Sequence, residues 1–206
     1  MKAGAIILSG GKSSRMGSNK AFLPLSEMTS IERISHELKK SNMITEYILV
    51  TNQMEDYQSL HMKTVSDVFP SLGPLAGMHA GLLAAKEEAS IVVACDMPFI
   101  SNRVVDFLLS QLGNREAVVP IIQGNMHPLF AVYTKRLIDR MEVALRTGKL
   151  KIRQFLKDAD VHYVNEKDFP FLSDEEIERI FFNMNRPEEY EEAKKWISHT
   201  MAENEE

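Results

Sequence analysis

Between Leu8 and Lys20 the chain reads LSGGKSSRMGSNK: two adjacent glycines, then Lys12, Arg15 and Lys20 with no acidic residue among them. Glycine lets a backbone approach an anion closely, and this local excess of positive charge suits a small anionic ligand. The embedded Gly11-Lys12-Ser13 invites comparison with the phosphate-binding pattern G-x-x-x-x-G-K-[ST]. Its leading glycine would have to be residue 6, which is Ile6, inside an apolar run. The dinucleotide pattern G-x-G-x-x-G fails as well, because the glycines are Gly10, Gly11 and Gly17. Two readings remain from these residues alone, an anion-binding loop or a strand-to-helix turn with incidental charges.

A second set of polar residues follows apolar runs further along: Asn52 after YILVT, Asp67 after Thr64–Ser66 and Asp96 after IVVAC. In an open parallel sheet, ligands bind outside the carboxyl ends of the strands, so these side chains are expected on one rim. Asp96 is an oxygen ligand suited to Mg²⁺, or else a cap for the helix that begins near Asn102. Asp67 reads as a rim residue or as an Asx-turn before Phe69-Pro70, and Asn52 as a rim residue or a plain turn residue. Gly73 and Gly77 bracket Pro74, which opens a helix and leaves backbone donors at its start. No G-x-S-x-G and no zinc-ligand spacing is present, and the lone Cys95, inside an apolar run, reads as a core residue rather than a nucleophile.

The elements that must carry these residues alternate. Strand-like runs cover Ala3–Leu8, Tyr47–Thr51, Thr64–Ser66, Ile91–Cys95, Ala117–Ile121, Leu129–Tyr133 and Val161–Val164. Helical patterns cover Ser30–Lys40, Leu75–Glu87, Asn102–Leu112, Lys135–Arg146 and Pro187–Ile197. Apolar strands separated by helix-length connections predict an α/β fold, a doubly wound, mostly parallel sheet in a three-layer α/β/α arrangement. The stretch IIQGNMHP between two strands predicts one antiparallel excursion.

With 206 residues, 44% of them hydrophobic and 26% charged, the chain suits one domain over residues 1–200 and a short acidic tail at 201–206. A net charge of -5 argues against broad capture of nucleic acid. A single cysteine and no apolar run of membrane length make a cytoplasmic, membrane-free protein the simplest expectation.

The segment Leu8-Ser9-Gly10-Gly11, Ser14-Arg15-Met16-Gly17 and Lys20 resembles the signature L-x-G-G-x-S-x-R-M-G-x-x-K of the nucleotidyltransferase-like α/β superfamily. Together with Gly73-Pro74-Leu75-Ala76-Gly77, Asp96-Met97-Pro98 and Asn183-Met184-Asn185-Arg186-Pro187-Glu188-Glu189, it resembles the molybdenum cofactor guanylyltransferases over most of the chain. The resemblance implies transfer of GMP from GTP to the phosphate of molybdopterin, with Mg²⁺ and release of pyrophosphate. A nucleophile that is already an ionised phosphate needs positioning and charge neutralisation more than a general base.

Residue by residue, the resemblance assigns Lys20, Asp96 and Arg15 to catalysis and Asp96 to the metal. Leu8, Ser9, Gly10, Gly11, Lys20, Asn52, Asp67, Gly73, Gly77 and Asp96 fall to the nucleotide. The N-terminal half is thereby the nucleotide side and the C-terminal half the molybdopterin side, carried by His127, Arg153, Asn183 and Asn185. His127 reads equally as a hydrogen-bonded strand-end histidine, and Arg153 as part of a solvated basic helix face. If residues 183–185 end a strand, both amides point to one face. Ser9 departs from the family's usual alanine, and Arg186 from its usual threonine. The double glycine favours guanine over cytosine, because cytidylyl relatives carry Ala-Gly there. The alternatives are a cytidylyltransferase acting on molybdopterin or a sugar-like phosphate, and a GTP-binding partner without turnover. GTP, molybdopterin, molybdenum-insertion proteins and molybdoenzyme chaperones are the implied partners, and the chain is expected to be a monomer or weak oligomer.

Overall fold

The computed structural model describes residues 1–10, 20–60 and 62–203. In chain order these form β1 (Ala3–Leu8), β2 (Pro24–Leu25), β3 (Met28–Thr29), α1 (Ser30–Lys39), β4 (Ile44–Val50), β5 (Lys63–Val65), α2 (Pro74–Ala84) and β6 (Ala89–Ala94). There follow α3 (Asn102–Ser110), β7 (Ala117–Ile122), β8 (Asn125–Met126), β9 (Phe130–Thr134), α4 (Ile138–Arg146), α5 (Ile152–Phe155), β10 (Val161–Val164), α6 (Asp174–Ile180) and α7 (Pro187–Glu203). The main sheet has the order β10-β7-β9-β6-β1-β4-β5, with β8 paired to β7 and β2–β3 forming a separate ribbon. β1 runs parallel to both β4 and β6, β4 to β5, and β10 to β7. β9 alone on this path is reversed, pairing antiparallel with β6 and β7, and the β7–β8 hairpin is the expected excursion.

β1 is the pivot. The chain builds β4 and β5 outward on one side of it, then returns to lay β6 on the other. That reversal opens a crevice at the strand ends, where doubly wound sheets bind ligands. All six residues of β1 are buried, as a strand covered on both faces requires. Its alternate side chains enter two cores: Ala5 and Ile7 pack with α1, α3 and α6, whereas Ile6 and Leu8 pack with α2, α4 and α5. α7 closes a third cluster, in which Leu25, Phe99, Met184, Ala193 and Ile197 are buried together.

Local signals explain the boundaries. Thr29 and Glu32 form a capping box that starts α1, and Ser173 and Glu176 form another at α6, an element the sequence reading left out. α3 is capped by the Ser101 side chain, which accepts the Arg103 N–H, so Asp96 is released from capping. α2 was expected to reach Glu87 but stops at Ala84, with Ala85 extended. The reason is a carboxylate: Glu46 Oε1 accepts the N–H groups of Lys86 (2.6 Å) and Glu87 (2.9 Å), drawing the chain out of the helix and into β6. Among the described residues no helix is long and apolar enough to cross a membrane.

α2 rides close on β1. A Cβ placed on Gly81 would lie 2.5 Å from Ile6 Cγ2, and Ile6 is fully buried and cannot withdraw. Gly81→Ala is therefore expected to destabilise the fold by about 1–3 kcal/mol through overpacking, more than the roughly 0.5–1 kcal/mol that alanine gains over glycine in a helix. A fall in the urea midpoint at unchanged slope is the measurement that checks it.

Candidate active site

The strand ends around the crevice hold the polar residues expected there. At the end of β1, Leu8 and Ser9 are buried and Gly10 is exposed. Gly11, Lys12 and Arg15 lie outside the described residues. The chain is described again at Lys20, which opens a single 3-10 turn, Lys20–Phe22.

Asp96 sits past the end of β6, beside β1, where Cys95 N–H donates to Leu8 O at 3.0 Å. Its Oδ1 is buried and has no hydrogen-bond partner among the described residues. Burial pushes the Asp96 carboxyl above the usual range; Lys20 draws it down, and Glu189 pushes it up. Lys20 Nζ in turn donates to Asn185 O and Asn185 Oδ1, each at 3.3 Å. A carboxylate oxygen out of reach of water and unpaired among the described residues, with Lys20 and Glu189 near enough for their charges to be felt, favours a cationic partner. Among the described residues no group of three or more His, Cys, Asp or Glu is placed to hold a metal ion. One carboxylate with a free oxygen still fits Mg²⁺, which typically takes one or two protein carboxylates and fills its remaining positions with phosphate and water.

The neighbouring Cys95 thiol is pushed up to about 12, mainly by burial and further by Asp96. It stays protonated at neutral pH, in keeping with a core residue rather than a nucleophile.

On the other flank of β1, Asn52 and Asp67 form a reciprocal pair across β4 and β5. Asn52 Nδ2 donates to Asp67 Oδ2 and Asp67 N–H donates to Asn52 Oδ1, both at 3.1 Å. This pairing replaces the local Asx-turn. Burial pushes the Asp67 carboxyl up while the Asn52 hydrogen bond opposes it. Gly73, at φ +80, begins α2 with Pro74 in its first turn and no side-chain cap, and within that turn Ala76 N–H donates back to Gly73 O at 3.1 Å. Gly77 faces the same place: a Cβ there would meet Leu8 Cδ2 at 3.2 Å and Asp67 Oδ1 at 3.6 Å.

The reversed β9 brings a different group to the rim. Ala94 N–H donates to Leu129 O at 2.8 Å and His127 N–H to Pro120 O at 2.9 Å, which sets His127 alongside the end of β6. Its ring packs against Phe181, 5.0 Å between centroids. Burial, and then the charge of the exposed Arg153 on α5, pushes His127 down, keeping it neutral at neutral pH. Arg153 thus lies near enough to His127 for its charge to be felt.

Residues 183–185 do not end a strand, so the condition under which both amides would share one face is not met. The segment is irregular, because Met184 is fully buried in the α7 cluster and its N–H donates to Asp96 O at 2.8 Å. The two amides are split: Asn183 Oδ1 is buried without a partner among the described residues, and Asn185 turns to Lys20. Glu189 is a site residue to which the sequence reading gave no role. It accepts the N–H groups of Asn185 and Arg186, fixing the segment that meets Lys20. The signal was available, since an acid three residues after Arg186 at a proline-initiated helix start has capping spacing.

A mostly parallel doubly wound sheet, with a glycine-bearing strand end, a lysine and an aspartate with one buried oxygen at its switch point, defines an enzyme of the nucleotidyltransferase class. The chain belongs to the MobA-like NTP transferase family, whose domain model matches residues 5–165. It is similar to a probable molybdenum cofactor guanylyltransferase of Clostridium perfringens, 39% identical over 195 residues, covering 93% of this chain and 96% of that protein. Another, from Pelotomaculum thermopropionicum, is 36% identical over 204 residues, covering 99% and 95%. Among solved structures, the molybdopterin-guanine dinucleotide biosynthesis protein A of Archaeoglobus fulgidus superposes with a TM-score of 0.81 at 25% identity, covering 97% of this chain and 100% of that one.

Proposed function

We propose that this enzyme transfers GMP from GTP to the terminal phosphate of molybdopterin, with residues 1–200 acting as one cytoplasmic nucleotidyltransferase domain. A phosphate oxygen of the acceptor forms a new bond to the α-phosphorus of GTP, and the bond from that phosphorus to the β-phosphate oxygen breaks, releasing pyrophosphate. The observation that carries the transfer chemistry is the idle, buried Asp96 Oδ1 near Lys20 at the switch point. The guanine and molybdopterin assignments rest on the names of relatives that align along nearly the whole chain.

In this reading Lys20 neutralises the triphosphate, and the positive end of α2 faces the nucleotide. The Asn52–Asp67 pair holds the nucleoside end. Arg153 draws the acceptor's phosphate, and neutral His127 with Phe181 walls the acceptor side without adding charge. Asp96 would hold Mg²⁺, which supplies charge neutralisation at the reacting phosphates when bound. No residue needs to remove a proton from the nucleophile, since an acceptor phosphate is already ionised at neutral pH.

In the presence of Mg²⁺, GTP is expected to raise the melting temperature clearly more than CTP, UTP or ATP at the same concentration, because a ligand that binds only the folded state stabilises it by an amount that grows with the logarithm of its affinity. Equal shifts for all four nucleotides would sink the guanine assignment. Pyrophosphate release on adding molybdopterin separates an enzyme from a protein that merely holds GTP.

A further inference from the structure

The Ser9 side chain has a partner far along the chain besides its hydrogen bond with the Cys95 thiol. Its Oγ lies 2.5 Å from Tyr57 Oη, and both residues are buried, Tyr57 at 1% exposure. Tyr57 belongs to the 3-10 segment Met54–Leu60, which follows Asn52 at the end of β4. The same tyrosine ring packs on Phe22, with centroids 4.8 Å apart and planes inclined by 34°. Phe22 closes the turn that Lys20 opens. One side chain therefore grips the residue just before Gly10 with its hydroxyl and the turn carrying Lys20 with its ring.

We infer that Tyr57 is a positioning residue for the nucleotide: by tying Ser9 to Phe22 it sets the distance between the two flanks of the stretch from Gly10 to Lys20. Core filling alone would require no hydroxyl, and phenylalanine would supply the same ring without a buried polar atom to satisfy. The hydroxyl is matched instead by the serine directly before Gly10. The backbone around Ser9 is held independently, since its N–H donates to Val50 O at 2.9 Å. The tyrosine thus adjusts an end already anchored in the sheet rather than creating it.

The inference rests on the GTP reading above, and its test keeps the two apart. Tyr57→Phe keeps the ring on Phe22 and removes only the hydroxyl, Ser9→Ala removes the other partner, and the double variant removes both. Each single variant is expected to raise the KM and the directly titrated Kd for GTP roughly three- to tenfold, with kcat within about twofold, and to lower the melting temperature modestly because it takes this partner from a buried hydroxyl. The double variant is expected to be no worse than the worse single one, the mark of residues acting through one contact. Unchanged GTP affinity in Tyr57→Phe, or effects that multiply in the double variant, would overturn the positioning role while leaving the GTP reading standing. Failure of the unaltered protein to bind GTP would overturn both. If Tyr57→Phe does not fold, Ser9→Ala carries the same comparison, because a small residue replaces a small one there.

Discussion

Asp96→Asn is expected to lower kcat/KM for pyrophosphate release by roughly 10²–10³, the range found when one preorganised electrostatic group is removed from a transition state. Asparagine keeps the shape and one oxygen but not the charge, so the loss reports neutralisation at the reacting phosphates rather than a hole in the site. Stability is expected to move the other way. Burial raises the Asp96 pKa in the folded protein above its unfolded value. Above both values the ionised carboxylate is a folded-state penalty, and as pH falls toward the folded pKa the protein takes up the proton and that penalty disappears. A neutral amide removes the penalty at neutral pH. The melting temperature of the nucleotide-free variant should hold or rise while turnover collapses. A parallel loss of both would show that Asp96 supports the fold instead of the chemistry.

Lys20→Ala is expected to cost about 10² in kcat/KM for GTP, and Lys20→Arg to restore only part of it. The ammonium is a compact charge with donors that rotate freely, and a guanidinium of fixed planar geometry does not reproduce it. In the nucleotide-free protein Lys20 is spent on Asn185 O and Oδ1, both at 3.3 Å. These are long contacts at an exposed position, so their exchange for phosphate costs little. Asn185→Ala should accordingly leave the melting temperature almost unchanged and affect turnover far less than loss of the lysine. Steady-state kinetics over GTP concentration, run beside thermal melts of each variant, decides both points. A Lys20→Ala protein with near-normal turnover would remove this residue from the catalytic group.

Much of the sheet was legible because β1, β6 and β7 bury nearly every side chain on both faces, which leaves an apolar run bounded by turn residues. Asp67 and Asp96 were legible as rim residues for a topological reason, namely that a polar side chain directly after a parallel strand has nowhere else to go. The end of α2 was not legible, since Leu83-Ala84-Ala85-Lys86-Glu87 is good helix sequence and only the distant Glu46 carboxylate turns it away. The Asn-Met-Asn alternation misled because a buried methionine between two amides mimics strand periodicity. What buries Met184 is the packing of α7, a tertiary fact. Tyr57 carried no sequence signal at all, for its partner Ser9 is 48 residues away.

The reversal of β9 has a consequence for how such an enzyme diversifies. A rim residue on a parallel strand leads straight into its helix, so altering the turn disturbs packing on a whole face of the sheet. His127 reaches the rim from a hairpin whose tip, Gln123, Gly124 and Asn125, is exposed, with Gln123 and Gly124 at positive φ. That hairpin can lengthen, shorten or change sequence without moving either core. Under the proposed reading, the donor nucleotide lies wholly against the packed framework, while one wall of the acceptor side borders a margin whose tip is free of both cores.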